Sequence, residues 1–176
     1  MARPAASPVV ETPRLRLRPP CAADARRLAE LANDFDIARM TGSMPHPYGL
    51  DDAHAFLERV GTDDPASHAE FAIELDGDLI GMLGFHPMES ARCELGYWLG
   101  RAYWGRGYAT EAVDGALAWA SRDWRRRYVM ARHFSDNPAS GEVLCKAGFL
   151  YTGEVTLTHS RARGQAAASR TLVWLA

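Results

Sequence analysis

The chain has 176 residues, with 22 acidic against 20 basic side chains and a formal net charge of -2. That length suits one domain with a substantial core, and the near-even charge excludes a generic nucleic-acid binder, which would carry a clustered basic excess. Three distant cysteines (Cys21, Cys93, Cys145) and histidines with no H-x-x-x-H pairing exclude a disulfide framework, give no expectation of a metal site and point to a reducing, cytoplasmic setting. Residues 1–8 read as a loose tail rather than a signal peptide, with one domain over 9–176. No stretch reaches membrane-spanning length.

Leu15 and Leu17 alternate with Arg14, Arg16 and Arg18, which predicts a half-buried first strand within residues 9–20. Ala25, Leu28, Leu31, Ala32 and Phe35 share one face of a helix over 23–35. Residues 40–49, MTGSMPHPYG, are too rich in Gly and Pro for either element and form a loop. A second helix follows over 50–60, with Asp51 and Asp52 at its favourable N-terminal end. Asp76-Gly77 marks a hairpin between two strands in residues 70–87. Another strand covers 92–100, and a long helix runs from about Ala109 to Ser121. The arginine-rich run at 122–128 reads as that helix's solvated end. A strand over 127–134 precedes a helix with clear ends: Asn137 as N-cap, Pro138 at the first position, Gly148 just past the last. Strands near 149–155 and 169–176 close a β-α-α-β-β-β-α-β-α-β-β order. This predicts a mixed α/β sheet of about seven strands with about four covering helices.

Two glycines at the mouth of the long helix, in YWGRGYATEA (Tyr103 to Ala112), imply close approach of a phosphate to backbone. A nucleoside-triphosphate loop requires Lys and Ser/Thr where Arg106 and Gly107 stand, so no Mg²⁺ ligand exists. A dinucleotide loop requires a third Gly or Ala where Thr110 stands. A pyrophosphate held by the successive amides of residues 105–110 is the reading that survives.

The run ELGYWLGRAYWGRGYATEA, followed by DNPASGEVLCKAGF, resembles the GNAT superfamily of N-acetyltransferases, nearest the branch of ribosomal-protein N-terminal acetyltransferases. Trp104, Gly105, Arg106, Gly107, Tyr108 and Ala109 fill the family's [Q/R]-x-x-G-x-[G/A] loop, with Trp in place of the leading Gln/Arg. The resemblance implies a mostly antiparallel sheet splayed in the middle, with acetyl-CoA in the gap as co-substrate. Backbone groups of Tyr97, Trp98 and Leu99 would pair with the pantetheine arm, the amides around Gly105 to Thr110 would hold the pyrophosphate, and Asn137 would serve as a pantetheine contact, an N-cap or both.

The implied reaction is attack of an amine on the thioester. An alkylamine with a pKa of about 10.4 is under about one part in a thousand neutral at pH 7, whereas an N-terminal amine near 8 requires less help. By resemblance Glu94 is either the general base, acting through water, or a structural carboxylate paired with an arginine. The tyrosine that many family members place seven residues after the motif asparagine is Leu144 here. Ser140, four residues earlier on the same helical face, is the candidate for assisting the leaving thiolate, and Cys145 is expected to be a packing residue. His46 and Tyr48 are the candidate acceptor contacts. The acceptor is a small amine or a protein N-terminus, with no nucleic-acid or membrane partner, and a homodimer through the last strands is compatible. A fold that senses acyl-CoA without turnover stays open because of Leu144.

Overall fold

Pro13 divides the first expected strand. In the computed structural model, which describes residues 8–89 and 92–176, that strand is two: β1 (Val10–Glu11) and β2 (Arg16–Arg18), antiparallel with Val10 opposite Leu17. Proline cannot donate to a ladder, and Thr12 closes the reversal by donating its N–H and Oγ1 to the Leu15 carbonyl at 2.9 and 3.0 Å. Of the expected tail, all but Pro8 lies outside the described residues.

The helix expected over 23–35 is also two. α1 (Ala25–Ala32) stops at Asn33, and Asp34 caps the short α2 (Phe35–Ala38) by accepting from the Asp36 N–H at 2.9 Å. A side chain that competes for backbone donors favours a new helix start over continuation. α3 (Leu50–Thr62) follows, then the hairpin of β3 (Ala69–Leu75) and β4 (Asp78–Pro87). Asp76 and Gly77 take φ of 52° and 91°, the left-handed pair that a tight hairpin demands. The remaining elements are β5 (Cys93–Leu99), α4 (Tyr108–Arg122), β6 (Tyr128–Phe134), α5 (Pro138–Lys146), β7 (Leu150–Ser160) and β8 (Gln165–Leu175). Only Arg122 of the arginine run belongs to the last turn of α4. Beyond it, Arg126 donates to the Ala66 carbonyl and lies 4.0 Å over the Trp124 ring.

The eight described strands form one sheet in the order β1-β2-β3-β4-β5-β6-β8-β7, antiparallel except for β5 beside β6. One face buries Phe71, Leu83, Phe85 and Leu95 against Val113, Ala116 and Trp119 of α4. The other buries Ala72, Leu79 and Met82 against Leu28 of α1 and Ala53 of α3. Full burial of one such Phe or Leu contributes roughly 1.5–3 kcal/mol. The first face also buries Val129 and Ala131 of β6 and Leu172 of β8, so apolar packing holds both sides of the sheet.

Candidate active site

β5 and β6 pair at two positions only, Glu94 with Met130 and Leu95 with Ala131. Beyond Leu95 they part. Gly96 to Leu99 remain paired to β4, and Arg132 to Phe134 to β8, but among the described residues no strand pairing joins the two edges. A cavity of about 1100 Å³ opens there, lined by both edges, the loop before α4 and the first turn of α5. An open strand edge is a row of free donors and acceptors that an extended ligand can use.

The loop end is built from backbone. Trp104 Nε1 donates to the Leu99 carbonyl at 2.8 Å, tying the loop to the end of β5. Gly105 and Gly107 take φ of 71° and 79°, and a Cβ on Gly105 would meet nothing within 4 Å. Among the described residues the amides of Gly105 to Thr110 have no acceptor, and they lie at the positive end of a 15-residue helix. That combination fits an anion such as a pyrophosphate. Trp104, Gly105, Gly107, Tyr108, Ala109 and Thr110 line the cavity, whereas Arg106 does not. The Arg106 carbonyl instead accepts from Arg14 Nη1 at 3.0 Å. Arg14 also pairs with Glu111 at 2.6 Å and lies 4.6 Å over the Tyr108 ring. This brace joins the start of the chain to the loop, and nothing in the local motif announced it.

On the α5 side, Asn137 Oδ1 accepts from the Ser140 N–H at 3.3 Å, so the cap is formed, and Asn137 also lines the cavity. Ser140 Oγ lies 2.9 Å from the Tyr97 hydroxyl, which also donates to the Ser140 carbonyl at 3.2 Å. Burial pushes Tyr97 up to about 12, with the Ser140 hydrogen bond pulling the other way. Tyr97 thus lines the cavity with a side chain, where the expectation concerned its backbone alone. Trp98 and Leu99 line the same edge. Leu144 is buried in the core. Cys145 is exposed and not the packing residue expected, because its direction on α5 faces solvent.

The opposite end of the cavity is built from side chains. Glu94 accepts from both Arg132 Nε and Nη2, at 2.8 and 2.7 Å, and this pair holds the guanidinium above its ordinary value. Neither His46 nor Tyr48 is among the described residues lining the cavity. Tyr48 is buried against Leu28 and Ala53, and His46 meets Phe35 edge-on at 5.4 Å. Their loop presents Thr41, Gly42 and Ser43 to the cavity instead. The loop's place was legible, but an amphipathic Tyr beside an apolar helix face buries its ring.

Glu70, on β3, was not anticipated. It is 5 % exposed, lines the cavity, and stands opposite Gly84 of β4. A Cβ on Gly84 would run into its carboxylate. His86 Nδ1 is 3.5 Å from Glu70 Oε1. Burial pushes the Glu70 carboxyl up to about 8, with Arg59 opposing and Asp63 reinforcing. The signal was the alternation Glu70, Ala72, Glu74 against Phe71, Ile73, Leu75: a polar face that the α1 and α3 layer partly covers.

A sheet split between its two parallel neighbours, with a glycine loop feeding a helix across the split, defines the fold class of GNAT acyltransferases. Residues 14–150 match the family described as Acetyltransferase (GNAT) domain, and the chain belongs to it. The uncharacterized N-acetyltransferase YoaA of Bacillus subtilis is 27% identical over 157 residues, covering 83% of this chain and 85% of that protein. The ribosomal-protein-serine acetyltransferase of Escherichia coli is 28% identical over 85 residues, 47% of this chain and 48% of the relative. The spermidine N-acetyltransferase of Vibrio cholerae, solved with CoA and spermine, superposes with a TM-score of 0.78 at 18% identity, covering 92% of this chain and 95% of that one. Among the described residues no group of three His, Cys, Asp or Glu converges to hold a metal, and no helix is long and apolar enough to cross a membrane.

Proposed function

We propose that the protein is an acetyl-CoA-dependent N-acetyltransferase acting on a primary amine, either a protein N-terminus or a small amine. The observation that carries this reading is the run of amides at Gly105–Thr110 with no acceptor among the described residues, beside the open edge of β5. The first suits a pyrophosphate and the second suits the amide-bearing pantetheine arm. Acetyl-CoA supplies an acetyl group on a thioester, and the chain's own residues do the rest. Asn137 orients the arm from the α5 cap. The Tyr97–Ser140 pair offers a hydroxyl proton where the sulfur departs, in place of the tyrosine that Leu144 replaces; a thiol pKa of about 8.5 demands little help from an acid. Glu94, with both oxygens on Arg132, holds the rim of the acceptor opening. Relatives named for a ribosomal-protein serine and for spermidine support an amine acceptor of either size.

Thermal melting with acetyl-CoA, CoA, NAD and Mg-ATP in parallel tests the reading. A ligand at 100 times its dissociation constant stabilises by about 2.7 kcal/mol, a readily visible shift. Shifts with acetyl-CoA and CoA are expected. A shift with NAD or Mg-ATP alone would overturn the assignment.

A further inference from the structure

Three residues lie side by side on one face of the sheet. Glu70 of β3 stands opposite Gly84 of β4, and Gly84 stands opposite Gly96 of β5. Gly96 is the first residue past the last β5–β6 pair, where the cavity opens. Because Gly84 has no side chain, the Glu70 carboxylate lies over it, and Gly96 leaves the space between that carboxylate and the split bordered by the His86 imidazole. Neighbouring strands lie about 4.8 Å apart, so the glycine lane from Gly84 to Gly96 spans a single strand spacing. His86 flanks it: its Nδ1 is 3.5 Å from Glu70, its Nε2 would lie 3.7 Å from a Cβ on Gly96, and its side chain is 42% exposed. The polar partner of Glu70 among the described residues is His86 Nδ1 at 3.5 Å, and no backbone or hydroxyl donor reaches this buried carboxyl. The charged groups facing it are His86 of β4, Arg59 of α3 with its partner Asp63, His68 beside His86, and the Glu94–Arg132 pair across the lane.

We propose that Glu70, and not Glu94, takes the proton from the acceptor ammonium through one water in the glycine lane, and that His86 passes it to solvent. This rests on the acetyl-transfer reading above. The ammonium gives one proton to the Glu70 carboxylate and becomes an amine. Its lone pair forms the C–N bond as the thioester C–S bond breaks, and the bonding electrons leave on sulfur. The amine's second proton goes to that sulfur, and the proton on Glu70 leaves by His86. One acetyl group moves and one proton is released per turnover. Burial has raised this carboxyl toward the pKa of an α-amine, the match that general-base transfer favours.

The test uses full-length wild type, Glu70→Gln and Glu70→Asp, with acetyl-CoA as donor, and a serine-first hexapeptide, spermidine and methylamine as acceptors, from pH 6 to 10. Glu70→Gln is expected to lower kcat/KM at least about 100-fold at pH 8.5, where the Glu70 carboxylate form predominates. With spermidine the deficit is expected to close at least about tenfold by pH 10, where the free amine supplies itself, and Glu70→Asp to recover part of the rate. The melting shift with acetyl-CoA should be unchanged. A Glu70→Gln protein within threefold of wild type, a deficit flat across pH, or a lost acetyl-CoA shift would each overturn the proposal. So would a wild type that binds acetyl-CoA yet acetylates none of the three probes between pH 6 and 10. A wild type that gives no shift with acetyl-CoA overturns the acetyl-transfer reading itself, and the two failures are thereby told apart.

Discussion

The two ends of the cleft are made from different parts of the peptide. At the loop end, Gly105 to Thr110 present backbone amides, and the side chains around them serve to hold the loop: Trp104 on Leu99, and Arg14 on Arg106 and Glu111. At the opposite end, where we place the acceptor, Glu70, His86, Glu94 and Arg132 come from four different strands and line the cavity with side chains. A backbone site tolerates most substitutions except at residues whose φ only glycine adopts easily, so it leaves a compact motif. A side-chain site depends on packing between distant segments and leaves almost none.

The sharpest way to break the comparison is Gly107→Val. A φ of 79° strains any branched residue, and a Cβ there would stand 3.4 Å from Arg14 Nη2. Loss of at least about 100-fold in acetyl-CoA affinity is expected by calorimetry, with the fold retained; near-wild-type binding would mean the loop does not hold the coenzyme. Next is Ser140→Ala, expected to lower turnover roughly tenfold with little change in coenzyme affinity, less than a full general acid supplies. Because burial holds Tyr97 near 12, Tyr97→Phe should lower turnover by a constant factor from pH 6 to 10, and a break near neutrality would show that Tyr97 titrates.

Stability separates the two ends again. Glu70 has a folded value of about 8 against an ordinary value of 4.5, so the folded state binds the extra proton between them. Wild type should lose stability relative to Glu70→Gln as pH rises from about 4.5 to 8, by up to about 5 kcal/mol, and no further above 8. Chemical denaturation of both proteins at several pH values checks this, and parallel curves would place Glu70 in a solvated setting. The smallest effect is expected at Glu94→Gln. Its pair with Arg132 is partly exposed, so well under about 1 kcal/mol of stability and a few-fold, pH-independent loss of activity are predicted. A loss that steepens below pH 8 would return Glu94 to the part of general base.

The same difference explains what could be read from the sequence. Gly105, Gly107, Asn137 and Pro138 act within a few residues of their own position, so loop, cap and both helices were legible from local spacing. Asp76-Gly77 fixed its hairpin for the same reason. Pro13 and Asp34 are local breakers too, and they override the flanking apolar alternation, so the expected single strand and single helix are each two. Tyr48 and His46 were assigned from the loop they sit in, but the wall of the cavity is decided by how that loop meets α1 and α3. Glu70 matters because Gly84 and Gly96 stand beside it, a coincidence of register across three strands that no single window contains.

The claim that a backbone cradle and an open strand edge hold the coenzyme is tested most directly by amide hydrogen exchange with and without saturating CoA. Slowed exchange is expected at Gly105 to Thr110 and at Gly96 to Leu99, with the hairpin of β7 and β8 unchanged. Unchanged exchange at both of the first two segments, with CoA bound and protection appearing elsewhere, would contradict the account.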